Sequence, residues 1–141
     1  MFKKILVPLD GSKLAENILP KVEKIWECCQ AEVHLLQAVV SYKVDPEEEK
    51  TERKQLRREA QAYLDKIAAL LRGKNIETFT AVAHGKDAIQ ICDYAAKKKF
   101  DLIAMASHGR SGLGRWALGS VADKVLNCSD VPVLLIRVSK S

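Results

Sequence analysis

Five short apolar runs separated by stretches of helical periodicity constrain the fold of this chain more than any other feature. The runs cover residues 3–9, 32–40, 77–82, 101–106 and 131–138. Each has the length of a strand. Their apolar residues are nearly continuous, as in Val133-Leu134-Leu135-Ile136, which is typical of strands covered on both faces. The runs therefore predict five strands of a parallel sheet.

Helical patterns fill the segments between the runs. We predict a helix over residues 13–30 with Ser12 as N-cap, and a second that begins at Asp45-Pro46 and stops near Gly73. A third spans about residues 86–99, and the fourth begins at Ser120, which we expect to cap it. Right-handed crossovers then give one α/β domain over residues 1–141, an open doubly wound five-stranded parallel sheet with helices on both faces.

Charge and hydropathy exclude several classes of partner. The net charge of +5 could indicate nucleic-acid binding. The most densely charged segment, residues 47–59, however, carries five basic and five acidic side chains interleaved as on a solvated helix, so it forms no basic patch. No helix-turn-helix, zinc or aromatic stacking signature accompanies it. Because there is also no apolar run of about 18 residues and no targeting segment, we predict a cytoplasmic protein that binds neither nucleic acid nor membrane.

The cysteines do not show the spacing of a metal site. They are Cys28, Cys29, Cys92 and Cys128. The vicinal pair cannot form a relaxed disulfide with itself, and the others lie in helix-like surroundings. We predict that all are reduced cytosolic thiols that serve as small apolar residues.

The segment from Ala106 to Ser120 joins a strand to a helix start and is dense in Gly, Ser and Arg. Glycines let the backbone approach an anion closely, and a helix N-terminus favours negative charge. Ligands of doubly wound sheets bind at the carboxyl ends of the strands, where Asp10 follows the first strand. The segment predicts a phosphate site, although such glycines, and an Asp in a turn, also occur where nothing binds.

Several segments resemble the universal stress protein family, and the likeness covers essentially the whole chain. Residues 5–12 resemble the opening strand and turn of that family, residues 35–39 its second strand, residues 101–112 its fourth and residues 131–136 its last. The ATP-binding branch carries Gly-x2-Gly-x9-Gly-Ser/Thr. The corresponding residues are Ala106, Gly109, Gly119 and Ser120, so three of the four positions match.

The resemblance implies a nucleotide site with Mg²⁺ held by the phosphates of ATP. In the family pattern, one group holds the phosphates and ribose: Gly109, Arg110, Gly119, Ser120 and Val121. Asp10 contacts the nucleoside, the backbone near Ala38 meets adenine, and Pro8 and Leu9 shape the adenine side. Met105, Ser107 and His108 complete the expected site.

Ala106 departs from the family motif, which has glycine there. The change is harmless if the residue has a negative φ. A positive φ would cost about 1 to 2 kcal/mol and weaken nucleotide binding roughly tenfold.

The leading hypothesis is a stress or signalling protein in which ATP acts as a conformational ligand with slow or no hydrolysis. The loop lacks the Gly-x4-Gly-Lys-Ser/Thr arrangement. His108 could be read as a general acid or base, but we favour the interpretation that its side chain braces the loop or packs near the nucleotide, since no Ser-His-Asp or Cys-His arrangement is recognisable. A second hypothesis is a dimeric interaction module that does not bind ATP. The third, a nucleotidyl-transfer enzyme, lacks the Ser-Gly-Gly-x-Asp-Ser and His-x-Gly-His loops expected there.

The last strand predicts a homodimer. A 3-2-1-4-5 strand order would leave residues 131–136 at the edge of the sheet, where exposed apolar strands tend to associate. Pro132 removes one donor, but the apolar run after it is long. We expect this strand to pair with its copy in a two-fold-related subunit.

Overall fold

The computed structural model describes residues 2–108 and 119–138, with only the backbone of His108. Strands and helices alternate along these ranges: β1 (Lys4–Pro8), α1 (Lys13–Glu16), α2 (Leu19–Cys29), β2 (Glu32–Val39), α3 (Pro46–Arg72), β3 (Thr78–His84), α4 (Asp87–Lys97), β4 (Leu102–His108), α5 (Ser120–Cys128) and β5 (Val133–Val138). Of the predicted site residues, Gly109 and Arg110 lie outside the described ranges.

The five strands form one parallel sheet in the order β3-β2-β1-β4-β5. This confirms the predicted fold class and strand order. Both faces of the sheet are covered: Ile5 and Val7 of β1 pack in a core cluster with α2 and α3, while Leu6 packs on the opposite face in a cluster with α4 and α5. Because successive side chains of a strand point to opposite faces, the nearly continuous apolar runs fill both clusters.

The helix predicted over residues 13–30 is two helices, and this expectation is wrong because of Pro20. Proline lacks an N–H, and its ring would clash with the carbonyl of Glu16 four residues earlier. α1 therefore ends at Glu16, and Pro20 lies in the first turn of α2, where its missing N–H is not needed. The predicted starts at Ser12 and Asp45 are confirmed, since each side chain accepts a hydrogen bond from the third residue after it.

The N-cap of α5 is Gly119, so the prediction that Ser120 caps this helix is wrong. The Asp123 N–H donates to the Gly119 carbonyl over 2.9 Å, which makes Ser120 the first helical residue. The cause lies in β4: the Ser107 hydroxyl accepts from the Gly119 N–H at 2.9 Å and fixes where the helix begins. Among the described helices, none is both long enough and apolar enough to cross a membrane.

Candidate functional site

A cleft of about 310 Å³ opens at the carboxyl ends of the strands. It lies beside β1 and β4, which are neighbours at the point where the strand order reverses. Its volume is at the lower end of the range of about 300 to 1,000 Å³ typical of small-molecule sites. Among the described residues, its lining is Pro8, Leu9, Asp10, Ser12, Leu14, Ala15, Leu36, Ala38, Asp87, Ile91, Met105, Ala106, Ser107, Gly119, Ser120, Val121 and Ala122.

The cleft brings together every predicted site residue whose side chain is described. These ten come from three strand ends and the start of α5: Pro8, Leu9, Asp10, Ala38, Met105, Ala106, Ser107, Gly119, Ser120 and Val121. The sequence prediction missed the contributions of α1 and α4. Asp87 was the easiest of these to find from the sequence, because it lies three residues after the end of β3 and the carboxyl-end rule applies to every strand of such a sheet.

The start of α5 supplies hydrogen-bond donors to the cleft. Gly119 has no side chain with which to cap the helix, and its own N–H is taken by Ser107, whose side chain is buried. In any α-helix the first N–H groups lack intrahelical partners, and here they belong to Ser120 and Val121, both of which line the cleft. Together with the helix dipole, these groups favour an anion at this position.

Two carboxylates supply acceptors. An Asp10 oxygen accepts from the Ser12 N–H at 2.9 Å, which holds Asp10 in the turn after β1. An Asp87 oxygen accepts from the Ala88 N–H at 2.8 Å at the start of α4. A carboxylate retains acceptor capacity for other donors, so the cleft can bind hydroxyl or amino groups as well as an anion.

Ala106 is compatible with its position. It lies in β4 paired with Ile136, and the described non-glycine residues with positive φ are Gln30, Asn75 and Lys99. The backbone at Ala106 therefore suits any L-amino acid. The weakening of binding expected for a positive φ does not apply.

α1 forms one wall of the cleft and has no buried residue of its own. A hydrogen bond from α3, outside the cleft, holds this helix in place. The Tyr63 hydroxyl, from α3, donates to a Glu16 carboxylate oxygen at 2.8 Å. Burial, followed by this hydrogen bond and the charge of Glu16, raises the pKa of Tyr63 far above its usual value. The phenol therefore stays a neutral donor and keeps α1 against α3.

The histidines outside the loop lie away from the cleft lining. His34 pairs with Glu32 over 2.9 Å and stacks on Phe79. His84 ends β3, where burial and then the positive charges of Arg53 and Arg57 lower its pKa. Neither residue is placed to act on a ligand in the cleft.

Two cysteines form a disulfide, so the prediction of four reduced thiols is wrong. Cys92 of α4 and Cys128 of α5 are bonded, with their Cα atoms 6.2 Å apart. Each residue lies in a helical pattern of the sequence, but that pattern does not show that the two helices pack side by side. Their small buried residues, Ala88, Ala95 and Val125, allow this close approach. Cys28 and Cys29 are not disulfide-bonded.

The fold and the cleft together define a doubly wound α/β protein with a candidate ligand-binding site at the point where the strand order of its sheet reverses. Residues 1–137 match the model of the universal stress protein family, and the chain belongs to this family. The resemblance inferred from the motifs is thereby confirmed.

Two archaeal proteins and one plant protein illustrate the relationship. The chain is 34% identical to universal stress protein MJ0531 of Methanocaldococcus jannaschii, over 99% of this chain and 85% of that protein. The structure of MJ0577 from the same organism superposes with a TM-score of 0.86 at 31% identity, covering 100% of this chain and 99% of that one. A family member from Arabidopsis thaliana with AMP bound shares the fold, with a TM-score of 0.71 at 16% identity, covering 99% and 92% of the two chains.

We expect Ser107→Ala to disturb the cleft by removing the hydrogen bond between β4 and the start of α5. Without the hydroxyl, the Gly119 N–H loses its partner, which costs about 1 to 3 kcal/mol in the free energy of unfolding. The start of α5 should also move relative to β4, so that ligand affinity falls several-fold. Urea unfolding checks the first effect. For the fall in ligand affinity, the control is Ser129→Ala, which removes a hydroxyl from the residue after α5. Equal ligand affinities of the two variants would contradict this role of Ser107.

Proposed function

We propose that this universal stress protein binds ATP in the cleft and uses it as a conformational ligand in stress response or signalling. The observation that carries the proposal is the combination of free N–H donors at the start of α5 with apolar strand ends across the cleft. A nucleotide matches this combination, because its phosphates need donors and its base needs an apolar slot.

In the proposed complex, adenine lies beside Pro8 and Leu9 with its edge at the backbone of Ala38. Asp10 accepts a hydrogen bond from the nucleoside. The phosphates meet the N–H groups at the start of α5, and the loop residues Gly109 and Arg110 complete their coordination. The AMP bound by the Arabidopsis thaliana protein supports an adenine nucleotide as the ligand.

Mg²⁺ accompanies ATP in this proposal. Among the described residues, no three His, Cys, Asp or Glu side chains are grouped as a metal site. Mg²⁺ commonly keeps several water ligands and binds through substrate phosphates. The phosphates and water are therefore its proposed ligands.

Calorimetry on protein stripped of nucleotide tests the proposal. ATP should release or absorb heat at a stoichiometry of one and raise the melting temperature, and Ala106→Gly should bind equally well or better. No heat and no thermal shift with millimolar ATP would reject ATP binding and favour the interaction-module hypothesis. A loss of binding in Ala106→Gly would show that the loop is wrongly assigned.

We expect ATP turnover well below the common enzyme range of about 1 to 1,000 per second. The segment between Ala106 and Ser120 has no lysine to reach the terminal phosphates. A phosphate-release assay with a purified preparation checks this. Hydrolysis at ordinary enzyme rates that is lost in His108→Ala would instead make the protein an enzyme with His108 as a catalytic residue.

We also propose a homodimer formed through β5 at the sheet edge. The Ile103 N–H donates to the Pro132 carbonyl at 2.9 Å, and Ile103 pairs with Val133. The backbone groups of even-numbered residues therefore point toward β4, and those of Val133 and Leu135 point outward. Outward N–H and C=O groups can pair with the same strand of a second subunit.

Leu135→Pro should convert the dimer to a monomer, because it removes an outward N–H and leaves the β4 hydrogen bonds intact. Light scattering should give twice 15.7 kDa for the wild type and 15.7 kDa for the variant. Leu134→Pro is the matched control, since it removes an inward N–H and should destabilise the fold. A wild type that is monomeric at micromolar concentrations would overturn the dimer.

A cytoplasmic location completes the proposal. The separate prediction that all four cysteines are reduced cytosolic thiols does not support it, because Cys92 and Cys128 form a disulfide. Cell fractionation with an antibody to the native protein tests it, and recovery outside the cytoplasmic fraction would reject it.

A further inference from the structure

The disulfide joins the two helices that form one wall of the cleft. α4 contributes Asp87 and Ile91 to the lining, and Cys92 is the residue after Ile91. α5 contributes its first turn to the lining, and Cys128 is its last residue. A covalent bond therefore connects the wall at α4 with the far end of the helix that supplies the N–H donors.

α5 has few other anchors. It is nine residues long, and its buried residues are Ala122 and Val125. Helices this short are not stable alone and depend on tertiary packing. Two small buried side chains offer little apolar contact, and the hydrogen bond from the Gly119 N–H to Ser107 holds only the first end of the helix, so the cross-link is a major constraint on where the rest of α5 lies.

The disulfide is open to thiol exchange at one end. Cys128 is exposed, whereas Cys92 is half-buried. An external thiolate attacks the Cys128 sulfur, forms a mixed disulfide and releases the Cys92 thiolate. A second external thiol then attacks the mixed disulfide and frees Cys128. In total, two external thiols lose two electrons and two protons to become a disulfide, and the protein gains two thiols.

We propose that Cys92 and Cys128 form a thiol–disulfide site that sets the affinity of the cleft for anionic ligands. In the oxidised form, the cross-link holds the start of α5 in the position that the cleft requires. In the reduced form, α5 is retained by its two small buried residues and by the hydrogen bond from the Gly119 N–H to Ser107, and its N-terminal donors are less ordered.

The redox chemistry of Cys92 and Cys128 does not depend on the proposed function. The effect of reduction on ATP affinity does rest on the proposed function. The first experiment therefore uses the full chain without nucleotide. The protein is equilibrated with glutathione disulfide or with a phosphine reductant, its thiols are counted by alkylation and mass spectrometry, and hydrogen exchange is measured at the amides of residues 123–125, whose hydrogen bonds close the first turn of α5.

We expect two alkylated cysteines in the oxidised protein and four in the reduced protein. Exchange at residues 123–125 should be at least fivefold faster after reduction. Cys92→Ser/Cys128→Ser should exchange at the fast rate in both conditions, and Cys28→Ser/Cys29→Ser should respond as the wild type does. Four alkylated cysteines after treatment with glutathione disulfide would overturn the redox site. Unchanged exchange at residues 123–125 would overturn its action on the cleft.

The second experiment measures ATP affinity of the same two forms by calorimetry. We expect about tenfold weaker binding after reduction, and no such difference for Cys92→Ser/Cys128→Ser. Equal affinities of oxidised and reduced wild type would overturn the control of affinity. If neither form binds ATP while exchange responds to reduction, the proposed function fails and the redox action on α5 stands.

Discussion

Gly119→Asp should abolish nucleotide binding while leaving the protein at least as stable as the wild type. Gly119 has a φ of −62° and a ψ of 151°, an extended conformation that any residue adopts. Aspartate is a preferred N-cap and gains a few tenths of a kcal/mol over glycine there. Its carboxylate would occupy the donors of the first turn and repel phosphate. The loss of two charge-assisted hydrogen bonds, about 1.5 to 3 kcal/mol each, corresponds to at least a 100-fold lower affinity.

The control places the same charge at the other end of the same helix. Asn127→Asp lies in the last turn of α5 and should change ATP affinity by less than about threefold, since charges act on a helix terminus mainly within one turn. Calorimetry and urea unfolding of both variants separate binding from stability. Gly119→Val, which adds bulk without charge, should also block binding. Wild-type affinity in Gly119→Asp would contradict the placement of phosphate at α5.

Loss of the disulfide should cost more stability than any surface substitution. The bond joins residues 36 positions apart, and closing a loop of this length in the unfolded chain stabilises a protein by about 3 to 4 kcal/mol. Cys92→Ser/Cys128→Ser should therefore melt roughly 10 °C below the oxidised wild type. Scanning calorimetry measures this directly.

Cys28→Ser is the matched control for that loss. Cys28 is exposed and outside the disulfide, so its replacement should shift the free energy of unfolding by no more than about 0.5 kcal/mol. Equal melting temperatures of the double variant and the oxidised wild type would show that the cross-link does not constrain the native chain.

The strands and their order could be predicted because each strand is a short local run whose residues are apolar on both faces. Runs such as that at residues 133–136 must fill two core clusters, which excludes a half-exposed antiparallel sheet. The break at Pro20 was also a local signal, but the helical spacing of apolar residues continues across it. The start of α5 could not be predicted locally, because it depends on a hydrogen bond from Gly119 to Ser107, twelve residues away.

In the candidate site, too, residues with a local sequence signal could be predicted, and residues that depend on the packing of distant elements could not. Residues on strand ends and beside the Gly-rich loop were predicted from the carboxyl-end rule and from the family motif. Asp87 follows the end of β3 and could have been found by the same rule, whereas Ile91 belongs to the body of α4, and only the packing of α4 against α5 brings it to the cleft. The disulfide depends on that same packing. Cysteine spacing along the chain carries no information about it.

The central claim is that the phosphates of ATP bind the N–H groups at the start of α5. Amide chemical-shift mapping by NMR tests it most directly, with ATP and adenosine titrated into oxidised protein stripped of nucleotide. We predict that ATP shifts the amides of Ser120, Val121 and Ala122, that adenosine leaves them nearly unchanged, and that both ligands shift Ala38. Saturation by ATP with the amides of residues 120–122 unmoved would contradict the claim.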